Sequence, residues 1–93
     1  MSGLSLESRV AISEDAVFRE LDGEAVILQL DSGMYYGLDP VGTRLWQLIG
    51  VHGQLRQVYD AALAEFDVDP AVLERDLLQL VSDLTSRNLL VVQ

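Results

Sequence analysis

Along the first half of the chain, apolar residues come in short runs broken by turn residues; along the second half they recur every three or four positions. The first spacing suits strands and the second suits amphipathic helices, so the sequence predicts a segregated α+β domain. Residues 16–21 (Ala-Val-Phe-Arg-Glu-Leu) read as a strand that stops at Asp22-Gly23. That pair favours a tight hairpin, because glycine accepts the positive φ such turns need. Residues 25–30 form the next strand, with Val26, Leu28 and Leu30 on one face, and Asp31-Ser32-Gly33 makes a second turn. Residues 34–38 complete a three-stranded antiparallel meander, with Met34, Tyr36 and Leu38 on one face and Tyr35 on the other. An earlier apolar pair, Val10 and Ile12, is expected to form a short arm over this sheet.

The helical half has clear entry points. Asp39-Pro40 and Asp69-Pro70 each offer a carboxylate to cap free N–H groups and a proline suited to the first helical position. The first helix carries Val41, Leu45, Trp46, Leu48 and Ile49 on one side, and Gly50 is its expected terminator. Leu55, Val58, Tyr59, Ala62, Leu63 and Phe66 mark a second helix. A third runs to about residue 88 on a stripe of Leu73, Leu77, Leu80, Val81 and Leu84, broadened by Leu78. The tail 89–92 is apolar enough to return to the domain as a short strand. Three strands followed by three helices predict a winged-helix-like arrangement within one domain over 1–93. Its parts are an N-terminal arm (1–15), a β-meander (16–38) and three helices (40–88).

Composition narrows what such a domain does. The chain has 93 residues, 49% of them hydrophobic, and a net charge of −9. Its mean hydropathy of +0.23 is high for so acidic a chain, which implies a dense core, apolar surface kept for a partner, or both. All six basic residues are scattered arginines against fifteen carboxylates. That balance argues against nucleic acid, which is bound through clustered Lys and Arg. No run is long and apolar enough to span a bilayer, and no signal peptide is visible at Met1-Ser2-Gly3-Leu4, so no membrane role is expected. The absence of cysteine excludes disulfides and thiolate chemistry. Together these features favour the cytoplasm.

Catalytic chemistry is scarcely represented. The single histidine, His52, falls in an expected loop between two helices and has no evident partner for base catalysis or metal binding. Gly33, Gly37 and Gly42 have turn or packing explanations rather than the pattern of a phosphate loop. Asp60, Glu65, Asp67 and Asp69 lack the glycine and terminal glutamate of a calcium loop, so a solvated acidic face explains them better. Ser32, Thr43, Ser82, Thr85 and Ser86 have no histidine companion that would make a triad. An enzyme is not expected, and neither metal nor cofactor is implied.

The segment Met34-Tyr35-Tyr36-Gly37-Leu38-Asp39-Pro40-Val41-Gly42-Thr43-Arg44-Leu45-Trp46 resembles the PqqD-like family, the recognition elements of ribosomally made, post-translationally modified peptide pathways. Glu24 to Asp31 is similar to the family's second strand, and Glu65-Phe66-Asp67-Val68-Asp69-Pro70 to its link between second and third helices. The Tyr-Tyr-x-Leu-Asp and Gly-Thr-Arg pieces look most like the stand-alone members from lasso-peptide pathways. The likeness covers about residues 16–92. One departure is Gln54, where many relatives cap the second helix with Ser or Thr.

This resemblance implies a non-catalytic module that grips the leader segment of a precursor peptide for a partner leader peptidase. The leader would extend the sheet beside the third strand, with the third helix as the other wall. Implied binding residues are Met34, Tyr35, Tyr36, Gly37 and Leu38 on the strand, with Asp76, Leu77, Leu80, Val81, Asp83 and Leu84 on the helix. Leu77 and Leu84 fit plain core positions as well, Tyr36 and Leu38 share core parity, and Asp76 and Asp83 also suit a solvated face. Trp46 reads as core. Three alternatives remain open from sequence: a carrier for a radical enzyme or cyclodehydratase, a winged-helix regulator, and an acidic protein-binding subunit.

Overall fold

In a computed structural model, which describes residues 3–93, Asp22 and Gly23 both take positive φ (56° and 81°), the geometry of a two-residue hairpin. The first two residues of the expected N-terminal arm, Met1 and Ser2, lie outside the described residues. The elements in order are β1 (Val10–Ile12), β2 (Ala16–Leu21), β3 (Glu24–Gln29), β4 (Tyr35–Leu38), α1 (Pro40–His52), α2 (Leu55–Glu65), α3 (Pro70–Ser86) and β5 (Leu90–Val92). β2, β3 and β4 form the expected antiparallel meander, and the three helices follow it. The winged-helix-like α+β arrangement is therefore the observed fold class.

Two expectations about the ends change. Val10 and Ile12 do not lie over the meander: β1 pairs with β5 in a separate two-stranded sheet, Val10 opposite Val92 and Ile12 opposite Leu90. The apolar tail thus returns as a strand against the N-terminal arm. Helix α1 also runs past Gly50. Its terminator is Gly53, at φ 75°, whose N–H donates to the Ile49 carbonyl at 2.9 Å. His52 accordingly belongs to the last turn of α1 rather than to a loop. Gly50 is explained by close packing, since a Cβ there would stand 3.3 Å from Ile12 Cδ1.

The two aspartates act as read from the sequence. Asp39 Oδ1 accepts from the Gly42 N–H at 2.7 Å, and Asp69 Oδ1 accepts from the Ala71 N–H at 2.8 Å. Gln54 precedes α2 without a side-chain cap bond, so that helix depends on packing through buried Leu55, Val58 and Ala62.

One face of the meander lies on α1, where Phe18 stacks on Trp46 with ring centroids 6.1 Å apart and planes 15° from parallel. Ala25, Ile27 and Gln29 are the buried positions of β3, while Val26 and Leu28 face outward. Two buried polar side chains fasten this junction. Thr43 Oγ1 accepts from the Ala25 N–H at 2.9 Å and donates to the Leu38 carbonyl. Gln29 donates through Nε2 to the Asn88 carbonyl and accepts at Oε1 from the Asp31 N–H, both at 2.7 Å, so the end of α3 is held to the sheet.

Candidate functional site

Register determines which backbone groups the sheet leaves free. In an antiparallel pair, opposed residues alternate between exchanging hydrogen bonds and facing away from each other. The Gln29 N–H donates to the Met34 carbonyl at 2.9 Å, which fixes the phase of the β3–β4 ladder. Two residues on, Ile27 and Tyr36 form the next bonded rung, and Ala25 and Leu38 the one after, bridged by the Thr43 hydroxyl. Tyr35 and Gly37 therefore turn their N–H and C=O groups away from β3, towards an edge with no neighbouring strand.

The same reasoning applies at the far side. With Leu21 opposite Glu24 across the hairpin, and the Leu30 N–H donating to Asp15 at 2.8 Å, the outward positions of β2 are Phe18 and Glu20. The sheet thus has two open edges. Beside the β2 edge stands α1, whose Trp46 stacks on Phe18 and whose Gln47 donates to Glu20 at 2.7 Å; the β4 edge also runs beside a helical wall.

That wall is α3, antiparallel to β4. Near the start of β4, the Arg87 guanidinium lies 4.7 Å above the Tyr36 ring centroid, just past the end of α3. A cavity of about 220 Å³ opens there, lined by Met34, Tyr35, Tyr36, Arg87, Asn88 and Leu89, with Gln29, Asp31 and Ser32 around it. Past the other end of β4 lies a larger cavity of about 450 Å³. Asp39 and the first turns of α1 (Val41, Gly42, Leu45) form one side, and Val72, Asp76, Gln79, Leu80 and Asp83 of α3 form the other. Phe66 and Val68, in the connection between α2 and α3, close its end. An open strand edge flanked by a cavity at each end has the general form of a strand-addition groove.

The sequence-derived residues divide accordingly. Met34, expected on the strand, lies just before β4 and is exposed at 65%; on β4 itself Tyr35 is exposed at 68%, Gly37 is exposed, Tyr36 is half-buried, and Leu38 is buried. Tyr36 and Leu38 face the core, as their parity implied. On α3, Asp76, Leu80 and Asp83 line the larger cavity. Leu77, Val81 and Leu84 do not: each is 0% exposed and belongs to the hydrophobic core, which corrects their assignment to the cleft. They sit on the stripe of α3 that packs into the core, where the helix meets α2 and β5, whereas Leu80 is only partly buried.

Several lining residues were missed from sequence. Val41, Phe66, Val68 and Val72 all face the larger cavity, and Val41, Val68 and Val72 stay 39–46% exposed. Apolar residues on both sides of a helix-capping Asp-Pro were the available signal. Arg87 of the smaller cavity had none, because its role depends on where α3 ends against β4.

The end wall is braced by charge. Arg44 on α1 donates to both carboxylate oxygens of Glu65, at 2.7 and 2.8 Å, beside Phe66. This bidentate contact holds the Glu65 carboxyl below the usual carboxylate range and raises the Arg44 guanidinium further. Among the described residues, no group of His, Asp and Glu is arranged to hold a metal ion, and no helix is long and apolar enough to cross a membrane.

The family described as Coenzyme PQQ synthesis protein D (PqqD) matches residues 24–90. Among solved structures, the chain is similar to that of "TbiB1 in Complex with the TbiA(beta) Leader Peptide". The identity is 39% over 86% of this chain and 93% of that one, with a TM-score of 0.81. A structure described as "Lasso peptide synthetase B1 complexed with the leader peptide" is 20% identical over 89% of this chain and 98% of that one, at a TM-score of 0.79. At that identity the likeness shows the shared fold alone. No curated protein sequence matches the chain.

Proposed function

The chain belongs to the PqqD family, and on that premise we propose that it binds the leader segment of a ribosomally made precursor peptide, in lasso-peptide synthesis, by strand addition to β4. The observation that carries this reading is the free edge at Tyr35 and Gly37 with α3 standing opposite. The β2 edge also offers backbone groups, but its outward residues Phe18 and Glu20 are already engaged by Trp46 and Gln47 of α1. Its outward positions, Phe18 and Glu20, line neither cavity. The 39%-identical relative in complex with a leader peptide supports the same assignment.

Magnitudes define what the leader must contribute. Tyr35 and Gly37 each present one donor and one acceptor, and net values of about 0.5–1.5 kcal/mol per bond sum to a few kcal/mol. Micromolar affinity requires roughly 8 kcal/mol. Burying two or three apolar leader side chains, at about 1.5–3 kcal/mol each, supplies the remainder. The two cavities are where those side chains enter.

The protein is non-catalytic in this reading and works in the cytoplasm. It raises the local concentration of precursor beside a partner leader peptidase that cuts the leader away.

The test is fluorescence anisotropy with the labelled leader from the adjacent precursor gene, against a scrambled leader. Saturable binding near or below micromolar, lost on scrambling, is expected. Equal binding of both peptides would refute sequence-specific leader recognition.

A further inference from the structure

Charge is unevenly distributed between the two ends of the β4–α3 groove. Three carboxylates (Asp39, Asp76 and Asp83) line the larger cavity, and no cationic side chain does. Asp39 caps α1, and Asp83 Oδ1 accepts from Gln79 Nε2 at 3.0 Å; neither has a cationic partner among the described residues. Asp76 lies 3.6 Å from Arg75, but the two side chains are 61% and 74% exposed, so that contact is weak. At the other end of β4, the smaller cavity has Arg87 to balance Asp31.

The carboxylates stand at the rim of an apolar site. Val41, Leu45, Phe66, Val72, Leu73 and Leu80 line the same space. A peptide chain seated there buries an apolar side chain and removes water from beside Asp76 and Asp83. Without a compensating cation, that desolvation costs affinity. The separation of the two carboxylates gives a length scale. Seven residues of helix rise about 10 Å, which is roughly the span of three residues of extended peptide.

We propose that Asp76 and Asp83 determine specificity, selecting leaders in which an apolar residue is flanked within about three positions by lysine or arginine. This rests on the leader-binding reading above and names the chemical class of leader that the larger cavity takes. The apolar residue occupies the space beside Leu80, and the cation lies along α3 against the carboxylates. Asp76 is exposed and Asp83 partly so, which makes the attraction sensitive to salt.

The experiment uses the full chain and the labelled leader from the adjacent precursor gene, with a second peptide whose Lys and Arg residues are changed to Gln. Both are titrated against the native protein and an Asp76→Asn/Asp83→Asn variant at low and high salt, with folding checked by circular dichroism. The native protein is expected to bind the Gln peptide roughly three- to tenfold more weakly than the native leader, with the gap closing at high salt. The variant should bind both peptides alike, so that the two losses do not add. Equal affinity of the native protein for both peptides, a leader lacking Lys and Arg, or an undiminished gap in the variant would each overturn the assignment while leaving leader binding intact. No saturable binding of either peptide to the folded native protein would instead remove the leader reading, and this inference with it.

Discussion

The side-chain oxygen of Thr43 lies 2.9 Å from the backbone nitrogen of Ala25, inserted in the rung where Ala25 faces Leu38. One hydroxyl thus closes the β3–β4 ladder and ties it to the first turn of α1. Thr43 is 2% exposed, so water does not replace it. Thr43→Val should cost about 1–3 kcal/mol by leaving a buried N–H without its partner. Thr43→Ser, which keeps the hydroxyl, should cost much less. Urea denaturation of the two variants separates these outcomes, and a Thr43→Val protein as stable as wild type would remove the role given to the hydroxyl.

Strand phase predicts opposite results for neighbouring prolines. Tyr35→Pro removes an N–H that faces the open edge, so the protein should remain folded while leader affinity falls about tenfold. Tyr36→Pro removes an N–H that faces Ile27 inside the sheet and should destabilise the fold by roughly 1–3 kcal/mol. Gly37→Ala is the control: a Cβ there meets nothing within 4 Å, and the donor is retained. Thermal melts and anisotropy titrations on the three variants distinguish the classes, and normal leader affinity in a folded Tyr35→Pro protein would exclude pairing at that position.

Leu77 and Leu80 should part in the same way. Leu77→Glu places a carboxylate at a fully buried position, a penalty of several kcal/mol that is comparable to the whole stability of a small domain. Leu80→Glu lies on the cavity wall and should leave the fold intact while weakening leader binding. Circular dichroism with titration reads both. A folded Leu80→Glu protein that binds normally would remove Leu80 from the cleft.

The Arg44–Glu65 contact gives a pH dependence of known sign. Hydrogen bonding from Arg44 lowers the folded-state value of Glu65 below its unfolded value. Its contribution is therefore complete above the ordinary carboxylate value, about 4.3, and is lost as pH falls through the lower folded value. Wild type should melt slightly higher than Glu65→Gln at neutral pH, with the difference vanishing in acid. Both side chains are substantially exposed, so the shift is small. A difference that grew on acidification would contradict the assignment.

These contrasts also indicate which features local sequence carries. Asp22-Gly23, Asp39-Pro40 and Asp69-Pro70 were legible because each device is complete within a few residues. Gly50 and Gly53 were not separable: both suit a helix end, and only the approach of Ile12 and the positive φ of Gly53 distinguish them. The same holds for the α3 stripe. Leu77, Leu80, Val81 and Leu84 fit one helical periodicity, and burial was decided by what packs against each. In β3 both faces are apolar, so alternation identified the faces but left the inner one open. Thr43 and Gln29 lie on the buried side and bond across it. The free β4 edge was readable as the last strand of the meander. Its second wall required knowing that α3 returns antiparallel to β4.

The most direct test of strand addition is amide hydrogen exchange, residue by residue, with and without the leader. Binding at β4 predicts that the Tyr35 and Gly37 amides, unprotected in the free protein, become protected when the leader is added, while Phe18 and Glu20 on the β2 edge do not change. Protection appearing at Phe18 and Glu20 instead, or a bound leader that leaves Tyr35 and Gly37 exchanging as before, would contradict it.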